Sequence, residues 1–276
     1  MLEDGGEPDR RRLRQIAAAT GLGLKFLSKE VFLTRFLRAI SGGLGPEFVM
    51  KGGTAISRAG YLKVPRFSED IDLDYFGGSG IKEATAQILT LAASVQGFEM
   101  DRPRHQGRCH RIDVRFTNHW DERDRIRVDI TAPMELGEDR EPPDSDKAAA
   151  TILRPQFTEG AESTFRTYTR HHLFVKKLKA LSDRKEGKDA FDIWGMTDGG
   201  LRLEQVIDLL QQLPREGHPP QDLLTHAMHN LRYMSSNIRT VSNAANHFIP
   251  RPHRPNWEIL LRDVGDILIT LDEAVR

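Results

Sequence analysis

Residues 70–75 read Asp-Ile-Asp-Leu-Asp-Tyr, a strict alternation of charge and bulk that only an extended strand with one buried face accommodates. As a helix, the same residues would drive carboxylates into whatever packed against it. The pattern returns at Arg111-Ile-Asp-Val-Arg-Phe116 and at Arg125-Ile-Arg-Val-Asp-Ile130. The middle of the chain therefore holds half-buried strands, with Ile71, Leu73, Ile112, Val114, Phe116, Ile126, Val128 and Ile130 on the core side.

Helical spacing surrounds these strands. Leu13, Ile16 and Ala17, then Phe32, Leu33, Phe36, Leu37 and Ile40, recur at three- and four-residue steps until Gly42, Gly43, Gly45 and Pro46 stop them. Phe48, Val49 and Met50 then suit a buried strand running into a turn at Gly52 and Gly53, and 81–95 is helical through Ile81, Ala84, Ile88, Leu91 and Val95. Residues 1–9 read as a frayed tail, and Glu141–Asp146, with Pro142 and Pro143, as a linker. Beyond it the strand signal disappears: Phe165–Ser182, Leu203–Leu213, Gln221–Ser235, Ile238–His247 and Trp257–Ala274 favour a bundle of about four or five helices. The expected architecture is α/β, a mixed sheet with helices followed by a C-terminal helical bundle. It divides into a tail and helix at 1–24, a core domain at 25–140 and a helical domain at 150–276.

Forty basic and forty acidic residues cancel, so any polyanion must be met by a local basic patch rather than by net charge. Arg10, Arg11, Arg12 and Arg14, and Arg102, Arg104, Arg108 and Arg111, are the candidates for RNA phosphates, with solvated surface as the alternative. Cys109 is the sole cysteine, which excludes a disulfide or a Cys-rich zinc site and favours a reducing cytoplasm. No apolar run approaches the ~18 residues of a spanning helix, and no signal peptide opens the chain. The expectation is a cytoplasmic protein with no membrane partner.

Asp70 and Asp72, at i and i+2 on a strand, share a face about 7 Å apart and can ligate a hard cation such as Mg²⁺ or Mn²⁺. Glycines at a strand end, here Gly52 and Gly53, let backbone N–H groups approach a phosphate, and the Thr54 hydroxyl adds a donor. Phosphate beside a metal is the apparatus of phosphoryl or nucleotidyl transfer. Asp74 opens a second register, Asp72 with Asp74.

Two elements, Lys51-Gly-Gly-Thr54 and Arg66-Phe-Ser-Glu-Asp-Ile-Asp-Leu73, resemble the signatures of the AbiEii/AbiGii nucleotidyltransferase toxins (MenT-like, type IV toxin–antitoxin) of the polymerase-β-like superfamily. The resemblance implies a polymerase-β-like core, Mg²⁺ on Asp70 and Asp72, and a nucleoside triphosphate cradled by Lys51, Gly52, Gly53, Thr54, Arg58 and Ser68. Such enzymes carry a third carboxylate on a neighbouring strand. Asp113 and Asp129 compete for that place, and the context of Asp129, with a strand end at Thr131 and Pro133, is more similar to the family's third acid. Lys177-Leu-Lys-Ala-Leu181 and Lys188-Asp-Ala-Phe-Asp192 are similar to two further family elements. By that resemblance Lys177 contacts the triphosphate, and Asp189 and Asp192, three apart on one helical face, organise the lysine or accept a proton. The implied activity is a growth-inhibiting toxin, opposed by an antitoxin, that modifies RNA, with the tRNA 3′ end as acceptor. A GTP- or NTP-binding module without turnover and a metal-dependent nuclease remain as alternatives.

Overall fold

The computed structural model describes residues 8–132, 143–198, 200–213 and 219–276; the expected tail up to residue 7, the strand-end Pro133 and the linker residues Glu141 and Pro142 lie outside them. The chain forms two units, one from the segments up to Gly60 and Arg66–Tyr168, the other from Tyr61–Pro65 and Thr169–Arg276.

The first unit opens with α1 (Arg10–Thr20), begun by the Asp9 carboxylate accepting from the Arg12 N–H at 2.7 Å and ended by Gly21 at φ 69°. There follow α2 (Leu24–Ser41), β1 (Phe48–Lys51), α3 (Gly52–Arg58), β2 (Asp70–Tyr75), α4 (Ile81–Ala93), β3 (Phe98–Met100), β4 (Arg104–Gln106), β5 (Cys109–Thr117), β6 (Arg123–Thr131), β7 (Ala148–Leu153) and β8 (Ser163–Tyr168). The strands lie in one mixed sheet, in the order β3-β5-β6-β2-β1-β8-β7, with β4 hydrogen-bonded to β5. The β2–β6 and β1–β8 pairs are parallel and the rest antiparallel.

Alternation decides the two faces of this sheet. Ile71, Leu73, Ile112, Val114, Ile126, Val128 and Ile130 are fully buried; Phe32 of α2 stacks on Phe116 with ring centroids 4.2 Å apart, and Phe36 meets Phe98 edge-on. The charged residues between them fall on the opposite face.

The second unit is helical: α5 (Arg170–Asp183), α6 (Gly187–Met196), α7 (Leu203–Gln211), α8 (Pro220–Ser236), α9 (Ile238–Asn246), a 3-10 turn at Arg251–His253 and α10 (Trp257–Val275). Leu173, Phe174, Leu178, Leu181, Phe191, Leu224, Met234, Leu260, Val264 and Leu268 form its core. Asn230 of α8 donates to the Leu181 and Ser182 carbonyls, both at 2.9 Å, and so satisfies the C-terminal end of α5. Asn256 starts α10 by accepting from the Glu258 and Ile259 N–H groups.

Three expectations are corrected. Helix was expected over Phe165–Ser182, but Ser163–Tyr168 is strand β8 and the helix begins at Arg170; Ser163, Phe165 and Thr167 alternate as buried residues because β8 is paired by β1 and β7. The Ala-rich β7 shows how pairing overrides helix propensity. As a result the unit boundary follows Tyr168, beyond the segment expected to open the helical domain. Finally, Gly52 and Gly53 are not a plain turn but the first residues of α3.

Candidate active site

The strand registers bring the sequence-derived carboxylates together row by row. Lys51 pairs with Asp72 across β1 and β2, Asp72 with Asp129 across β2 and β6, and Asp129 with Arg111 across β6 and β5. One row of the polar face therefore reads Lys51, Asp72, Asp129, Arg111, with two carboxylates side by side in its centre. The next row runs Asp70, Arg127, Asp113 over β2, β6 and β5. Asp129 thus stands beside Asp72 on the adjacent strand, whereas Asp113 is one strand farther away and level with Asp70.

Backbone at the end of β1 opens space for this row. Gly52 sits at φ 75°, and a Cβ there would run into the Asp72 carboxylate, so the position needs glycine for both conformation and room. A Cβ on Gly53 would meet the Ser68 hydroxyl at 2.8 Å and the Arg66 guanidinium carbon at 3.3 Å. Gly52, Gly53, Ser68 and Asp72 are brought together as expected. Arg66, buried and donating to the Phe67 carbonyl at 3.0 Å, and Arg127, 3.7 Å from Asp70, are neighbours that motif reading missed. The alternation Arg125, Arg127, Asp129 was the available signal for Arg127.

The face is not uniformly accessible. The Asp70 side chain is 36 % exposed and ionically paired to Arg127. Asp74, 1 % exposed, is held by the Lys51 ammonium and by the Tyr168 hydroxyl, which donates at 2.7 Å; burial and the Asp74 charge both push the Tyr168 hydroxyl upward in pKa. Lys51 is thereby engaged inward, toward Asp74. Both Asp129 oxygens accept from Arg111, from Nε at 2.7 Å and from a terminal nitrogen at 2.8 Å, and this bidentate bond raises the Arg111 pKa. Asp113 is buried under Arg104 and Arg125.

Two expected nucleotide contacts are corrected. Thr54 is fully buried and its hydroxyl donates to the Asp70 carbonyl, so it fixes the start of β2 against α3 instead of facing a phosphate. Arg58, 3 % exposed, pairs with Glu30 at 3.1 Å and donates to the Thr34 hydroxyl at 3.0 Å. Burial lowers its pKa, with Glu30 opposing, and its guanidinium ties α3 to α2.

Among the described residues, no three His, Cys, Asp or Glu side chains gather into a set that could hold a metal ion. The grip of Arg111 on Asp129 is the physical reason at the central row. Backbone register nevertheless puts Asp70, Asp72 and Asp129 on one face, their donors are all hard oxygens, and Gly52 leaves room at Asp72. The residues fit a divalent cation of the Mg²⁺ type.

In the second unit, Lys177 of α5 lies between two carboxylates of α6, at 2.8 Å from Asp189 and 2.8 Å from Asp192. Arg184 adds a bond to Asp189 at 2.7 Å. Asp189 and Asp192 are fully buried. Burial alone would raise the Asp189 carboxyl, but Lys177 and Arg184 outweigh it and hold the group well below the usual carboxylate range. The i, i+3 spacing read from the sequence does place both acids on the lysine.

The family described as nucleotidyl transferase AbiEii toxin, type IV TA system, matches residues 35–268. The fold is similar to JHP933 from Helicobacter pylori, at 16 % identity and a TM-score of 0.59 over 92 % of this chain and 94 % of that one. It is also similar to MenT4, a nucleotidyltransferase toxin from Mycobacterium tuberculosis H37Rv, at 15 % identity and a TM-score of 0.57 over 95 % and 92 % of the two chains. Comparison with curated proteins returns no match.

Proposed function

This chain belongs to the AbiEii family of nucleotidyl transferase toxins of type IV toxin–antitoxin systems, and from that premise we propose that it transfers nucleotides from a nucleoside triphosphate to an RNA acceptor, the tRNA 3′ end, using Mg²⁺ held by Asp70, Asp72 and Asp129. The observation that carries this reading is the in-register Asp72–Asp129 pair beside Gly52. Two adjacent carboxylates repel unless a cation lies against them. Bound there, the divalent ion neutralises phosphate charge and lowers the pKa of an attacking hydroxyl.

The chain's own residues have separable tasks. Gly52 and Gly53 let backbone approach the phosphates, with Ser68 and Arg66 packed behind Gly53. Asp129 is the acid nearest Asp72 across the strands and is assigned to the attacking hydroxyl. Thr54 anchors the Asp70 backbone, and Asp74, neutralised by Lys51 and Tyr168, is a structural acid, which supports Asp70 with Asp72 as the ligand register. Lys177 is assigned to the nucleotide on its helix's resemblance to the family, and Asp189 and Asp192 to holding it. Arginines of β4, β5 and β6, including Arg104, Arg111 and Arg125, are the basic supply for RNA phosphates. The family implies an antitoxin, and the substrates place the reaction in the cytoplasm. No helix among the described residues is long and apolar enough to cross a membrane.

Incubation with Mg²⁺, total RNA and each labelled nucleoside triphosphate tests the reading. Label on RNA, concentrated in the tRNA band, is the expected result. Bound nucleotide without transfer would indicate a binding module, and shortened RNA without any triphosphate would indicate a nuclease.

A further inference from the structure

Arg111 occupies both oxygens of the acid that the transfer reaction needs. A guanidinium fork and a divalent cation compete for one carboxylate, because each takes its lone pairs and the two cations repel. The neighbouring acid offers an alternative seat. Asp113 is two residues along β5 from Arg111 and therefore on the same face, and its Oδ1 is buried with no hydrogen-bond partner. Its other oxygen is the one taken by Arg104 and Arg125. An unpartnered buried carboxylate oxygen is costly, and a long arginine side chain spans the separation of i and i+2 residues on a strand.

We propose that Arg111 is an exchangeable counter-cation: it holds Asp129 in the metal-free protein and transfers to the open oxygen of Asp113 when a divalent cation takes Asp129. Asp113 then acts as a positioning residue through Arg111, not as a ligand. This rests on the assignment of Asp129 as a metal ligand. It gives the enzyme a cation affinity set by the balance between two arginine seats.

The test is Mn²⁺ binding to the full chain without nucleotide, followed by the paramagnetic signal of free Mn²⁺. Arg111→Gln should bind Mn²⁺ on the order of tenfold more tightly, and Arg111→Lys, which keeps the charge but loses the fork, should show a smaller gain and serves if the first variant does not fold. Asp129→Asn should weaken binding and erase the gain from Arg111→Gln. Asp113→Asn should weaken binding severalfold when Arg111 is present and have no effect beside Arg111→Gln, a non-additivity that a purely structural role would not produce. Unchanged or weaker binding by both Arg111 variants would overturn the exchange while leaving the metal assignment intact. Equal losses from Asp113→Asn in both backgrounds would make Asp113 a direct ligand and also overturn it. Absence of Mn²⁺ binding in every protein would overturn the metal assignment itself, and the exchange with it.

Discussion

Lys51, Asp72, Asp129 and Arg111 on the sheet and Lys177, Arg184, Asp189 and Asp192 in the helical unit contain the same charges, two positive and two negative, in opposite arrangements. In the helical cluster a cation lies between the acids, and Asp189 is shared by Lys177 and Arg184. In the sheet row the acids are adjacent, the cations stand at the ends, and Lys51 turns to Asp74. The first arrangement satisfies itself internally and is buried. The second keeps like charges together where an outside cation can reach them. A buried, alternating set stabilises geometry, and an adjacent, part-exposed pair is suited to binding.

Substitutions should separate the two arrangements sharply. Asp72→Asn should cost on the order of a thousandfold or more in transfer with no loss of thermal stability, since it relieves repulsion from Asp129; a lowered melting temperature with activity retained would reverse the assignment. Asp189→Ala should instead destabilise by ~3–5 kcal/mol, because it leaves Lys177 and Arg184 uncompensated, measurable by denaturant unfolding. A neutral result would show the cluster to be dispensable.

Gly52→Ala combines both effects in smaller measure. Its positive φ costs ~1–2 kcal/mol in an L-residue, and the new Cβ presses on Asp72, so activity should fall further than stability. Equal stability and activity would mean that Asp72 can relocate freely.

The pH dependence is the mildest effect. Asp189 has a folded pKa below its unfolded value, so its stabilisation is complete above the ordinary carboxylate pKa, near 4, and is lost as pH falls through the folded value. Asp189→Asn should therefore flatten the acid limb of the stability curve below about pH 4. An unchanged limb would assign acid unfolding to other carboxylates.

The strands at 70–75, 109–117 and 123–131 and most helices were legible because their apolar period is local. The pairing of Asp72 with Asp129 was not, since it depends on β2 and β6 lying parallel, a contact between segments far apart in the chain. For the same reason Asp113 and Asp129 could not be separated by their own strands, which alternate alike. Thr54 and Arg58 were misread because Gly-Gly-Thr looks like an exposed loop, while in α3 those side chains turn inward to Asp70 and Glu30. The Lys177 cluster was legible in part: spacing put two acids on one helical face, but complete burial depended on packing against α5.

The most direct measurement is labelled-nucleotide transfer to RNA by Asp129→Asn compared with Asp113→Asn. If the row through Asp72 carries the chemistry, Asp129→Asn loses at least ~100-fold and Asp113→Asn stays within a few-fold of the unsubstituted enzyme. The reverse order, or an active Asp129→Asn enzyme, would contradict the account.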